Sequence, residues 1–393
     1  MPRDFVSRKA ARFTESVIRE MTRLADRHGA INLAQGFPDF PAPAALKRAA
    51  CEAIRRDVNQ YAVTWGAPAL REALARKYKK YNRMDVDPDR NITVTCGATE
   101  AMISALLAAV DPGEEVILFE PHYENYGPDT ILSGATPRFV HLHPPDWHLD
   151  EKELARAFNR RTKAIVLNTP NNPTGKVFTR RELETIARLC LKWDVLAVTD
   201  EVYEHIVYEG EHVSIASLDG MAERTITTSS LSKTFSITGW RLGYCIAPER
   251  LSGAIRKVHD FLTVGAPHPL QVAAARLLDR PGTLFEDLPR EYRERREVFY
   301  PALEAADFRP FRRPAGAYYV MCDVSRFGFP DDTAFARWFV REAGIAVVPG
   351  SSFYVDPARG RHLVRFAFCK RKPTLREAAR RLARLSVPAA ARS

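Results

Sequence analysis

Lys233 stands in a run of small hydroxyl residues, Ser229-Ser230-Leu231-Ser232-Lys233-Thr234, and Arg241 follows a short distance downstream. A lone lysine is usually a solvated surface charge, because Lys is almost never fully buried. This one follows a β-type run, Thr-Ile-Thr-Thr at 225–228, and lies among Ser, Thr and Gly rather than among other charges. A lysine whose surroundings lower its pKa can act as a Schiff-base nucleophile. The serines and Arg241 suit a phosphate, since guanidinium binds it through two parallel hydrogen bonds and hydroxyls add donors. A nucleophilic lysine beside a phosphate site suggests pyridoxal 5'-phosphate (PLP); alone, that is a hint.

Other strand-like runs end in residues with chemistry of their own. Gly97-Ala98-Thr99-Glu100 joins a strand to a helix, where backbone N–H groups and the positive dipole end would bind a phosphate; an ordinary strand–helix turn is the competing reading. Tyr123 follows the next strand, where an aromatic is more often core than a stacking platform. The dense turn Asn-Thr-Pro-Asn-Asn-Pro-Thr-Gly at 168–175 holds Asn172, although Asn and Pro are common turn formers. Asp200 ends a further strand with the phenol of Tyr203 three residues on, and a strand-end Asp is often simply a helix cap.

The elements that must position these groups alternate. Residues 13–30, 44–57, 67–81, 100–110 and 180–193 carry helical periods, and 92–95, 115–119, 162–167, 195–199 and 225–228 read as short buried strands. Such alternation predicts a mostly parallel α/β sheet whose ligands sit beyond the carboxyl ends of its strands. The Gly/Pro-rich segment from Ile31, containing Gly36, interrupts any helix. A helical pattern near 250–278 leads into Asp279-Arg-Pro-Gly, a domain junction. Beyond it, helices at 288–305, 333–342 and 374–385 mix with strands at 317–321, 345–348 and 362–368, a smaller α+β unit containing Arg365.

Bulk properties restrict the function class. At 393 residues, 46% hydrophobic and 27% charged, the chain is globular and too long for one ordinary core. No apolar run is long enough to span a bilayer, no apolar signal region follows Met1, and the six scattered cysteines lack CxxC pairs or zinc spacing. A cytoplasmic protein with reduced thiols, no metal and no membrane association is expected. The net charge of +10 is concentrated at 290–296 and 359–392, interleaved with acids or apolar residues, so solvated helix faces are favoured over nucleic-acid binding.

Taken in order, these residues make the chain resemble the class I/II aminotransferases of PLP fold type I. Gln35-Gly36-Phe-Pro-Asp, Asn171-Asn-Pro-Thr-Gly, Asp200-Glu-Val-Tyr203, Ser232-Lys233-Thr-Phe and Gly239-Trp-Arg241 carry the likeness, which extends from Asn32 to Lys370. Gly36-Phe-Pro-Asp-Phe, Ser214-Ile-Ala-Ser-Leu, and Phe353-Tyr354 with Arg365-Phe-Ala-Phe-Cys-Lys370 are similar to the glutamine transaminase K/kynurenine aminotransferase branch. The resemblance implies a large PLP-binding domain over 45–285, built on a mostly parallel seven-stranded sheet sandwiched by helices. Residues 1–44 and 286–393 would form the small α+β domain. It further implies that Lys233 holds PLP as a Schiff base and later shuttles a proton, while Asp200 pairs with the ring nitrogen. Tyr203 and Asn172 would bond the ring oxygen, and Tyr123 would stack on the ring. Ala98, Thr99, Ser230 and Arg241 would hold the phosphate, with Tyr61 reaching it from the neighbouring subunit of a homodimer. Arg365 would clamp the substrate α-carboxylate, close to the backbone at Gly36 and beside Asn172.

The implied reaction moves an amino group between an L-amino acid and a 2-oxo acid, in two half-reactions through pyridoxamine phosphate. The side-chain pocket departs from the kynurenine pattern. Ile18, Thr99 and Val264-Gly265 stand where aromatic residues are used, which points toward methionine, glutamine, alanine or aspartate as readily as aromatic donors; no arginine is evident for a side-chain carboxylate. A PLP-dependent cysteine-S-conjugate β-lyase or other Cα-chemistry enzyme would use the same Lys233 and Asp200. A non-catalytic PLP-binding regulator would need a further module, for which the family-like region leaves little room. A dinucleotide-binding protein would need a Gly-x-Gly-x-x-Gly after its first strand, which is missing.

Overall fold

Strands buried on both faces need near-continuous apolar or β-branched sequence, since helices must cover either side. In the computed structural model, which describes residues 5–385, Ile92–Thr95, Glu115–Glu120, Thr162–Asn168, Leu196–Asp200 and Thr225–Ser230 are such strands. Across the sheet the order is Ile92–Thr95, Gly243–Ile246, Thr225–Ser230, Leu196–Asp200, Thr162–Asn168, Glu115–Glu120, Thr136–His143 and His148–Leu149. Gly243–Ile246 runs antiparallel to both neighbours, and the two-residue His148–Leu149 is a hairpin return on the strand before it; every other pair is parallel. The hairpin is the eighth strand beyond the seven expected.

Successive side chains leave a strand on opposite faces. Ile117 and Phe119 therefore join one apolar cluster while Val116 and Leu118 join another with Ala101, Leu106 and Ile226. The cluster of Ile117 continues without a break into the C-terminal unit, through Tyr292 and Phe299 to Phe335, Phe339 and Phe366, and takes in Ile18, Met21 and Ala25. The helix Val17–His28 is thereby packed against the body of the molecule. The short strand Ile31–Asn32 that follows it pairs in parallel with Ile345–Ala346. The C-terminal sheet is antiparallel, in the order Arg309–Pro310, Tyr319–Asp323, Leu363–Ala367, Val348–Pro349.

Local chemistry fixes several boundaries. Arg180–Trp193 begins at a reciprocal capping box between Thr179 and Glu182. The helix expected at 100–110 is Gly97–Ala109, because the Glu100 carboxylate turns back to take the Cys96 N–H and caps the helix three residues early. The single pattern at 250–278 is two helices, Glu249–Thr263 and His268–Asp279; Val264, at φ +66°, and Pro267 separate them. The run 345–348 does not form one strand, since Ile345–Ala346 and Val348–Pro349 pair in different sheets. The expected junction at 285 falls in the first turn of the helix Leu284–Ala305. Residues 1–4 and 386–393 of the expected small domain, and with them the end of the basic run at 359–392, lie outside the described residues. Among the described residues no helix is long and apolar enough to cross a membrane.

Candidate active site

The carboxyl ends of Thr162–Asn168, Leu196–Asp200 and Thr225–Ser230 open into a cavity of about 420 Å³, roofed by the N-terminal helix and the C-terminal sheet. Of the residues assigned to cofactor and α-carboxylate, Gly36, Ala98, Thr99, Tyr123, Asn172, Asp200, Tyr203, Ser230, Lys233, Arg241 and Arg365 all line it. Tyr61 does not; it is 83% exposed on the outer surface of this chain. Ile18 and Thr99 of the expected side-chain pocket line the cavity, whereas Val264 lies at the surface.

At the centre, Lys233 sits in the four-residue helical turn Leu231–Thr234 directly after its strand, partly buried, with its ammonium 5.8 Å from the centre of the Tyr203 ring. Burial pulls its pKa below that of a free lysine, only partly opposed by the nearby Cys369 and Asp200. Asp200 ends the adjacent strand and is buried, which raises its pKa; the Tyr126 hydroxyl, donating to Oδ2 at 2.7 Å, and the Val202 N–H, at 3.3 Å, work in the opposite direction. Asp200 is thus a buried acid lining the cavity, not a helix cap. Behind it, the acids Glu201 and Glu204 converge with His212, and the Lys77 ammonium, 2.5 Å from Glu204, supplies the counter-charge.

One end of the cavity gathers hydroxyls, a helix N-terminal turn and a guanidinium, donors that suit an anion. Ala98 and Thr99 lie in the first turn of the helix Gly97–Ala109. Ser230 Oγ accepts the Ser232 N–H at 3.2 Å, and the buried Ser232 hydroxyl has no partner. Arg241 is held by the carbonyls of Thr238 and Cys96 at 3.1 and 3.3 Å. Gly97 adopts φ +82°, and a Cβ there would meet the Arg241 guanidinium at 2.3 Å; only glycine lets the two come together.

The other end of the cavity holds a buried guanidinium. Arg365 is 1% exposed, donates to Asn172 Oδ1 at 2.7 Å and to the Ala34 carbonyl at 2.5 Å, and lies over the Tyr319 ring. Its Nε has no partner, and no carboxylate pairs with it among the described residues. A buried cation without a counter-ion is costly unless a ligand brings one. Because Arg365 occupies the Asn172 oxygen, the donor left to a ligand at Asn172 is its amide N–H. Gly36 is required by packing, since a Cβ would stand 2.1 Å from the Tyr319 hydroxyl, which itself bonds the Tyr203 hydroxyl at 2.9 Å.

Sequence reasoning missed Tyr126 and Tyr319. Tyr126 opens the helix Tyr126–Leu132 three residues after Tyr123, a spacing that could have flagged it. Tyr319 carries no local signal: it reaches the site because its strand pairs with that of Arg365. Replacing Tyr126 by Phe removes a hydrogen bond to a buried carboxylate, which is worth about 1.5–3 kcal/mol. We expect kcat for Tyr126→Phe to fall about tenfold or more, with the Asp200 proton affinity raised; a steady-state assay with unchanged kcat would exclude this support role.

The donors therefore fit a group with an anionic end, a nitrogen base and a carbonyl within reach of an amine, and PLP has all three. A family profile described as aminotransferase class I and II matches residues 28–382. Human kynurenine–oxoglutarate transaminase 1 is 39% identical over 390 residues, covering 91% of this chain and 92% of the relative. Methionine aminotransferase of Escherichia coli K12 is 38% identical over 373 residues, covering 94% and 96%. The solved structure of N-succinyldiaminopimelate aminotransferase from Mycobacterium tuberculosis superposes with a TM-score of 0.94 at 38% identity, over 97% of this chain and 100% of that one. The paired anion sites flanking Lys233 and these likenesses agree, and the chain belongs to the class I and II aminotransferases, PLP-dependent fold type I enzymes that transfer an amino group between an amino acid and a 2-oxo acid.

Proposed function

We propose that this enzyme transaminates neutral amino acids of medium length, methionine and glutamine foremost, with aromatic donors secondary. The observation that carries this reading is the cavity itself. Arg365 would fix an α-carboxylate, and the same cavity is lined by Ile18, Phe37, Met102 and Tyr123 together with the polar Ser16, Gln35 and Arg19. The names of the relatives, which include a methionine and a kynurenine aminotransferase, support the same range. A β-lyase outcome, drawing on the same Lys233 and Asp200, has no observation in its favour.

Bound PLP supplies a carbonyl that takes the amino group and a ring that withdraws electrons from the substrate Cα. The chain's own residues do the rest. Arg365 binds the α-carboxylate through two parallel hydrogen bonds and so orients the Cα–H bond toward Lys233. The Lys233 amine, whose pKa burial lowers, would take the proton from the substrate Cα and deliver it to the carbon of the cofactor that receives the amino group. Asp200 holds a proton on the ring nitrogen, and Tyr126 holds Asp200. Tyr203 and Asn172 would offer donors to the ring oxygen, and Tyr123 would pack against the ring. Ala98, Thr99, Ser230 and Arg241 anchor the phosphate.

The working unit in this reading is a homodimer in the cytoplasm. Tyr61, Val63, Phe261 and Leu262 expose apolar surface, and their segments adjoin where Thr64 meets His259. Such a patch fits a face covered by a second copy, with Tyr61 delivered to the partner's phosphate. The six free cysteines accord with a reducing compartment. Residues 45–285 would act as the cofactor domain, with 1–44 and 286–393 as the smaller one. Light scattering should give twice the chain mass, and Tyr61→Phe should weaken PLP affinity severalfold; a fully active monomer would remove this part of the reading.

The donor range is tested by an absorbance scan of the holoenzyme as amino acids are added singly. Methionine and glutamine should convert the cofactor band fastest, and a 2-oxo acid should restore it. Conversion by phenylalanine or kynurenine alone would overturn the donor assignment. Pyruvate release from a cysteine conjugate without reversible conversion would favour the lyase.

A further inference from the structure

Beneath the first turn of the helix Gly97–Ala109 lies a buried pair for which the reaction described above has no use. Glu100 Oε2 accepts the Cys96 N–H at 2.5 Å, while Oε1 faces His259 Nδ1 at 2.5 Å and the Thr263 hydroxyl at 3.0 Å. The second ring nitrogen, His259 Nε2, faces the Thr64 carbonyl oxygen at 2.9 Å. The two side chains are 0% and 8% exposed. One imidazole therefore ties together three pieces of chain: the phosphate-cradle helix, its own helix Glu249–Thr263, and the segment that carries Tyr61.

His259 Nδ1 faces the Glu100 carboxylate and, at 3.3 Å, the Thr263 hydroxyl, whose own hydrogen goes to Glu100, while Nε2 faces the Thr64 carbonyl; both nitrogens thus meet acceptors. A neutral imidazole has one N–H and would set a lone pair against one of them; the imidazolium satisfies both. Burial works against the charge, but the hydrogen bond and the charge of Glu100 outweigh it, so the pKa of His259 is raised. The charge matters because of where Glu100 stands. It caps the turn whose Ala98 and Thr99 line the cavity, so its negative charge lies under the place where a phosphate dianion would bind. Unpaired, it would repel that dianion through a poorly screened interior.

We propose that His259 is a positioning residue of the phosphate cradle: held as a buried cation between Glu100 and Thr64, it cancels the Glu100 charge and fixes the cradle turn against the Tyr61 segment. The inference rests on the reading that this turn holds the cofactor phosphate. Titration of the apoprotein with PLP and with pyridoxal, which lacks the phosphate, separates the two. Wild-type protein should bind PLP far more tightly than pyridoxal; equal affinities would remove the phosphate reading itself. Given that preference, His259→Gln should weaken PLP by about tenfold while changing pyridoxal by less than about twofold. Adding Glu100→Gln to it should restore most of the PLP affinity, because the charge to be cancelled is then gone. Where His259→Gln does not fold, Glu100→Gln alone carries the test: it keeps an acceptor for the Cys96 N–H, and its PLP affinity should equal or exceed that of wild type. Equal loss of PLP and pyridoxal in His259→Gln, a double variant no better than the single, or weakened PLP binding in Glu100→Gln would each overturn the proposal.

Discussion

Lys233→Ala should yield a folded protein that binds PLP without a covalent link and turns over at least about 10⁴ times more slowly. The size of the loss follows from the two tasks on one amine, the link to the cofactor and proton transfer at the substrate Cα. The fold should survive because burial of the amine is unfavourable to its charged form, so its removal relieves a desolvation cost. Thermal unfolding of the apoprotein should change by no more than about 1 kcal/mol. Absorbance at the linked-cofactor band and single-turnover kinetics read the two tasks separately. Turnover within tenfold of wild type would falsify the assignment of Lys233.

Arg365→Ala should raise KM for every amino acid and every 2-oxo acid by about 100-fold, in line with removal of a buried charge partner. The α-carboxylate is common to all substrates, so the penalty should be uniform across the donor panel and independent of side chain. Arg365→Lys should recover only part of the loss, because a point charge cannot reproduce two parallel hydrogen bonds. It would also vacate the bond to Asn172 Oδ1, letting that amide turn away from the ring oxygen. A KM increase confined to one class of substrate would move Arg365 from the α-carboxylate to a side-chain subsite. Affinity for a substrate-like monocarboxylate, measured on the holoenzyme by spectral shift, separates binding from chemistry.

Much of the site was legible residue by residue. Lys233, Asp200 and Asn172 each terminate or follow a short buried strand, and strand ends are where an open parallel sheet presents its ligands. The motif spacing therefore also located the cavity. What was not legible came from contacts across the sheet or between chain ends. Tyr319 enters because Tyr319–Asp323 pairs with Leu363–Ala367, and Ile345–Ala346 leaves its apparent strand to pair with Ile31–Asn32. Neither event leaves a periodic trace in sequence, since register is set by tertiary packing of both partners. Val264 is exposed and Gly265 half-buried in this chain, and neither lines the cavity that Ile18 and Thr99 border.

The sequence by itself determined the chemical inventory and the alternation that makes a parallel sheet, because both depend on local residue type and period. It also determined the helix starts with explicit caps, such as Thr179 with Glu182. Only the tertiary structure decided which charges are left unpaired. Arg365 is a strand residue like any other in sequence, and its lack of a carboxylate partner among the described residues appears only once the N-terminal segment, the Asn172 turn and the C-terminal sheet close around it. The same holds for His259, whose two acceptors lie more than a hundred residues away in chain but within hydrogen-bonding distance in space. Protonation states follow from burial and from neighbours of this kind, and those are properties of the folded chain.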